Sequence, residues 1–175
     1  MRTFSILALA ALTACSSPHA PIARSASPSP SPALPSLVIN AVGSAKRPVR
    51  IVQQRGNIRE YELLARSFRS VGAPNDARVR LHDVRVTFTG AAGSQLVARA
   101  PEALVDERDG SITMFGGVRA ENKAGERLSC RTLVYRRGTQ SLHGSGSVLL
   151  QNNHGLRAVG ETVDANIALS NVEMR

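Results

Sequence analysis

An all-β fold, an array of antiparallel hairpins around one elongated core, is what this 175-residue chain predicts. The first observation is a thirty-residue step: Gly116-Gly117-Val118 recurs as Gly146-Ser147-Val148, Asn122 as Asn152 and Gly125 as Gly155. Apolar positions follow the same step, with Leu128, Cys130, Leu133 and Tyr135 mapping onto Ala158, Gly160, Val163 and Ala165. Ile112 maps onto Leu142 and then Val172. A fixed period of this size means stacked supersecondary units that bury their apolar faces against one another. The second observation is alternation, as in Leu128-Ser129-Cys130-Arg131, the period-two pattern of a half-buried strand. The third is composition: no Trp, 14 Gly and many Val, Leu and Ala, without a sustained helical pattern after the N-terminal segments.

The N-terminal segment stands apart. Arg2 precedes an apolar run from Phe4 to Leu12, too short to span a bilayer and of the form of a signal-peptide core. The run ends in Leu12-Thr13-Ala14-Cys15, which resembles the bacterial lipobox. That resemblance implies a lipoprotein signal peptide over residues 1–14, cleavage before Cys15 and lipidation of its sulfur; the other reading is an ordinary secretory signal with an incidental cysteine. Residues 15–36 include Ser27-Pro28-Ser29-Pro30-Ser31-Pro32 and predict a disordered Pro/Ser linker. Some twenty residues of such chain reach roughly 60 Å at about 3.1 Å each.

Residues 37–175 form the predicted domain. A leading strand is expected at Val49 to Gln54. Tyr61 to Phe68 reads as a strand, although its Glu, Leu and Ala also suit a helix. A Gly72-Ala73-Pro74-Asn75-Asp76 loop leads to a second strand at Val79 to Phe88, and further hairpins follow. Tight turns are expected at Arg108-Asp109-Gly110, Lys123-Ala124-Gly125, Arg137-Gly138-Thr139 and Asn153-His154-Gly155. Alternation slips by one residue after Cys130, because Leu133 and Tyr135 are the next apolar positions, so a bulge or corner is expected near Arg131-Thr132. Ala100-Pro101-Glu102-Ala103 slips in the same way. Gly-Ser-Gly-Ser at 144–147 predicts a bulge or close backbone approach rather than a phosphate loop.

No catalytic constellation emerges. His82, His143 and His154 are separated, His19 falls in the linker, and none has partners at metal-ligand spacing. Asp106-Glu107-Arg108-Asp109 reads as a solvated turn, and no serine sits in a nucleophile elbow. The expectation is a protein without active site, cofactor or metal. Cys130, on an inward phase, reads as a small buried hydrophobe. The net charge of +9 favours anionic lipid headgroups or a phosphorylated glycolipid over nucleic acid in an exported protein; the alternative is a basic surface with no specific ligand.

The phrase Arg127-Leu128-Ser129-Cys130-Arg131-Thr132-Leu133-Val134-Tyr135, a turn, Ser141-Leu142-His143-Gly144 and Val148-Leu149-Leu150 resembles the OstA/LptA/LptC repeat of lipopolysaccharide transport. Tyr61-Glu62-Leu63-Leu64-Ala65-Arg66 with Val84-Arg85-Val86-Thr87-Phe88 resembles the opening repeat of LptC-related periplasmic proteins. The similarity covers about Val49 to Arg175. It implies an open β-jellyroll, or β-taco, whose interior shelters the acyl chains of lipopolysaccharide or a related glycolipid. It also implies a periplasmic place beside an inner-membrane ABC transporter complex and edge-to-edge pairing with similar jellyrolls. LptC proteins more often carry a transmembrane helix where this chain has its lipobox.

On this reading the lipid-binding interior comprises Ile112, Met114, Val118, Leu128, Leu133, Leu142, Val148 and Leu150. Small inward residues (Ala98, Ala100, Gly144, Gly146, Ala158, Gly160) are expected to leave room for ligand. A last strand from Asn166 to Met174, with Ile167, Leu169, Val172 and Met174 alternating, is expected to offer a partner edge. The alternative function is a scaffolding β-solenoid lipoprotein with a closed core that binds only protein.

Overall fold

The computed structural model describes residues 48–71 and 78–175, together with the backbone of 37–40. The signal peptide, Cys15, the linker and the loop at 72–76 lie outside the described residues. Twelve antiparallel strands form one sheet: β1 (Leu37–Asn40), β2 (Val49–Arg55), β3 (Ile58–Val71), β4 (Arg78–Thr89), β5 (Gln95–Asp106), β6 (Ser111–Phe115), β7 (Val118–Asn122), β8 (Arg127–Cys130), β9 (Thr132–Arg136), β10 (Ser141–Gln151), β11 (Arg157–Asn166) and β12 (Val172–Met174). Tyr61 to Phe68, the segment whose composition also suits a helix, belongs to β3: its alternate residues Tyr61, Leu63 and Ala65 are buried, and tertiary burial overrides local propensity there.

The parity slips fall on one line across the sheet. Pairing skips Arg66 and Asp83 between β3 and β4, and Asp83 and Pro101 between β4 and β5. Pro101, without an N–H to give, marks the point where β5 changes partner: Arg99 pairs with β7, Glu102 with β6. Gly116-Gly117 separates β6 from β7, and Arg131 separates β8 from β9. On β10 the line is a bulge between Ser145 and Val148, where Gly146 and Ser147 take positive φ and the Arg131 N–H is shared between the Ser145 and Gly146 carbonyls. The corner expected near Arg131-Thr132 is therefore one member of a crease that divides the sheet into two arms. The first arm holds β1, β2, β7, β8 and the adjoining halves of β3, β4, β5, β10 and β11. The second holds β6, β9, β12 and the remaining halves.

The thirty-residue step is literal in three dimensions. Asn122 Oδ1 accepts the N–H groups of Ala124 and Glu126, and Asn152 Oδ1 accepts those of His154 and Leu156. Each asparagine closes a turn whose Gly125 or Gly155 holds φ near +85, a conformation that favours glycine.

The inner faces of the arms form one hydrophobic core. Tyr135 on the second arm lies 4.6 Å, centroid to centroid, from Phe88 and 6.1 Å from Tyr61, both on the first. At the far rim Asn122 Nδ2 donates to the Ala168 carbonyl at 2.8 Å, joining the end of β7 to the turn after β11.

The C-terminal segment differs from its sequence reading. Asn166 ends β11, and residues 167–171 form a turn before β12. Asn166 Oδ1 accepts the Ser170 and Asn171 N–H groups, while Leu169 takes positive φ and donates its N–H to the Asn166 carbonyl. Ile167 and Leu169 are buried as plugs of the core, so only Val172 and Met174 belong to the terminal strand. An alternating apolar pattern cannot distinguish an edge strand from a turn that drops two side chains into a core.

Candidate functional site: the apolar interior and the free sheet edges

The interior is built from apolar rows that run across the strands. One joins Val79, Val105, Ile112, Tyr135, Leu142, Ala165 and Val172 through direct cross-strand pairs. The next joins Phe68, Leu81, Ala103, Met114, Leu133, Gly144, Val163 and Met174, eight strands in sequence and about 34 Å at the usual spacing of about 4.8 Å. On the first arm Ile51, Leu63, Val86, Ala98, Ala120, Leu128, Leu150 and Ala158 make a matching row. Side chains from β6 to β10 selected by parity are thus brought together: Ile112, Met114, Val118, Leu128, Leu133, Leu142 and Val148 are at most 1% exposed, and Leu150 is half-buried against the same core.

The inward glycines do not leave space. A Cβ at Gly144 would lie 2.7 Å from Val163 Cγ1 and 3.3 Å from Cys130 Sγ, so its hydrogen lets neighbouring side chains close in. Gly160 is similarly crowded by the Arg175 carbonyl at 2.9 Å, and Gly146 belongs to the bulge rather than the interior. Cavities among the described residues include grooves on the outer side of the crease, lined by residues such as Pro101 and Gly117.

Polar groups gather at one end of this interior, which parity alone did not single out. Glu60 is 1% exposed and sits beside Arg55, whose Nε lies 2.7 Å from Glu60 Oε1 without hydrogen-bond alignment. The Tyr135 hydroxyl is buried there without a partner. Burial first, and then the Glu60 charge, push the Tyr135 phenol up to about 12; burial likewise raises the Tyr61 phenol and pushes the Cys130 thiol up to about 11. Each group holds its proton more tightly folded than unfolded. Stability is then fully present below the unfolded values and is lost as pH rises from them through the folded values. We expect the urea midpoint to fall from about pH 9, with a slope of up to about 1.4 kcal/mol per pH unit for each group, and Cys130→Ala to delay the onset towards pH 10. A midpoint constant from pH 7 to 11 contradicts this.

Among the described residues, β12 is the outermost strand beyond β11, so its outer side is a free backbone edge as the terminal segment suggested, and other free edges accompany it. β12 pairs with Val163, Asp164 and Ala165, and Arg175 extends the contact to Thr162 and Glu161. Among the described residues no strand covers Arg157–Gly160 on the side away from β10, and the adjacent Leu156 and Val159 are 60% and 73% exposed. The second half of β3, with Phe68 partly exposed, is likewise unpaired on the side away from β4. Ile167 and Leu169, expected at a partner edge, are core residues.

These features define a class: an all-β repeat domain with a long apolar interior between two sheet arms and uncovered strand edges. No family model and no curated protein matches the chain.

Proposed function

We propose that the protein is a periplasmic, lipid-anchored binding and relay component of lipopolysaccharide or related glycolipid export, an open β-jellyroll of the OstA/LptA/LptC kind. The observation that carries this reading is the set of apolar rows crossing eight strands, an interior about 34 Å long. An acyl chain in water costs about 0.8 kcal/mol per methylene, and an apolar sheath of this length offsets that cost without polar specificity. In this mechanism the arms part at the rim opposite the crease, where few polar groups hold them, and acyl chains replace contacts between the inner faces. Cys15 holds the domain to a membrane through the linker at 15–36. The free outer edge of β12, with Val172 and Met174, receives a strand from a similar jellyroll, and the neighbouring uncovered Arg157–Gly160 adds Leu156 and Val159 as apolar contacts. Energy comes from an inner-membrane ABC transporter.

A photo-crosslinker at Leu142 or Val148 is expected to capture the glycolipid in cells, while one at the outward Arg131 does not; in the same cells Cys15→Ala abolishes palmitate labelling. Equal capture at all three positions contradicts the interior assignment, and palmitate labelling that survives Cys15→Ala contradicts the anchor.

A second reading, a scaffold that binds only protein, is favoured by the near-complete burial of the interior residues. It predicts no lipid capture at Leu142 or Val148 and no lipid in a mass-spectrometric extract of the purified protein.

A further inference from the structure

Three arginines on adjacent strands stand directly opposite one another on the outer face of the first arm. Arg85 of β4 pairs in register with Arg99 of β5, and Arg99 with Arg119 of β7. All three are exposed, and among the described residues none makes an ion pair. Like charges directly opposite across strands are destabilising. The same face avoids that arrangement nearby. Arg50 bonds Glu62 at 2.7 Å, and this hydrogen bond holds the Glu62 carboxyl below its usual value. Arg59 also reaches Glu62 at 2.6 Å, and Arg127 meets Glu121 at 3.2 Å. Charge pairing thus holds for Arg50, at the β2 end of this row, and for Arg59 and Arg127, and is suspended at the three adjacent arginines Arg85, Arg99 and Arg119.

The row borders a groove. Arg85, Arg99 and Arg119 line a cavity of about 550 Å³ on the outer side of the crease, floored by Val84, Ala100 and Pro101 and by the Gly116-Gly117 bend. A Cβ at Gly117 would meet nothing within 4 Å, so the bend leaves the groove clear. The acid in its lining, Asp83, is already engaged by Arg66 at 3.1 Å. A second groove of about 500 Å³ shares Gly116, Gly117 and Arg119 and adds Arg131.

We infer that this groove binds phosphate groups. At a strand spacing of about 4.8 Å, three guanidinium groups cover about 10 Å, a span that accommodates neighbouring phosphates. Their planar forks suit bidentate contact with phosphate oxygens, and the bound anion relieves the repulsion within the row. The inference is independent of whether the interior holds lipid. The phosphate belongs either to headgroups in a bilayer or to a soluble phosphorylated compound, and both present the same oxygens.

The test compares the full chain with Arg85→Gln/Arg99→Gln/Arg119→Gln and with Arg50→Gln/Arg59→Gln/Arg127→Gln, which removes equal charge from the same face. Co-sedimentation is measured with vesicles of phosphatidylcholine alone and of phosphatidylcholine with phosphatidylglycerol; the ratio between them cancels any contribution of a lipid anchor. Calorimetric titration with pyrophosphate supplies the soluble arm. We expect the groove variant to lose about fivefold in anionic preference per arginine, about a hundredfold in all, and the control variant much less. The groove variant is also expected to melt no lower than the parent, because its row of like charges is gone. Pyrophosphate binding lost in the groove variant assigns the site to soluble phosphates as well; vesicle preference without pyrophosphate binding assigns it to headgroups. Equal losses in both variants, or neither vesicle preference nor pyrophosphate binding in the parent, overturn the inference.

Discussion

Replacing Tyr135 with alanine is expected to lower the unfolding free energy by about 3–5 kcal/mol, the usual cost of removing a buried aromatic from a packed core. Tyr135 joins the arms, packing on Phe88 at 4.6 Å and meeting Tyr61 nearly edge-on. The same residue separates packing from polarity. Its hydroxyl is buried without a hydrogen-bond partner, so Tyr135→Phe keeps the ring and removes an uncompensated polar atom. The phenylalanine variant is expected to be as stable as the parent or up to about 1 kcal/mol more stable. Urea unfolding of both variants checks this. A phenylalanine variant that loses more than about 1 kcal/mol shows that the hydroxyl is hydrogen-bonded, and an alanine variant losing under about 1 kcal/mol means the arms do not depend on this contact.

Arg55→Met is expected to cost about 1–3 kcal/mol, because it strands the Glu60 carboxylate in the core. The figure is set below that for a fully buried pair because the Arg55 side chain is 58% exposed, against 1% for Glu60, and solvent screens the contact. Arg55→Met/Glu60→Leu is expected to recover most of the loss, since an apolar pair carries no desolvation penalty. A double-mutant cycle measures the coupling. A coupling energy near zero means that Glu60 is satisfied without Arg55.

The two arms give these substitutions their leverage, yet each was legible only in part from the chain. The inward residues of β6 to β10 follow from parity, because a strand sends successive side chains to opposite faces whatever its partners are. The slips after Cys130 and at Pro101 mark corners for the same reason: inward burial cannot otherwise be kept on both sides of the slip. The equivalence of Asn122 and Asn152 also marks their turns, because the asparagine carboxamide bonds backbone two to four residues ahead. Asn166 closes its turn in a similar way, four and five residues ahead, and so carries Ile167 and Leu169 away from the edge and into the core.

The sequence by itself therefore determined the all-β class, the repeat, the inward set on the central strands and the corners after Cys130 and at Pro101, all consequences of local stereochemistry and period. Only the tertiary structure decided which rows meet. Cross-strand register depends on the lengths of every intervening strand and turn, so nothing local announces that Arg85, Arg99 and Arg119 stand in one row. The closing of the arms is likewise a property of the assembled sheet: Tyr135, Phe88 and Tyr61 are distant in sequence, and only burial of both inner faces in a common core brings them together.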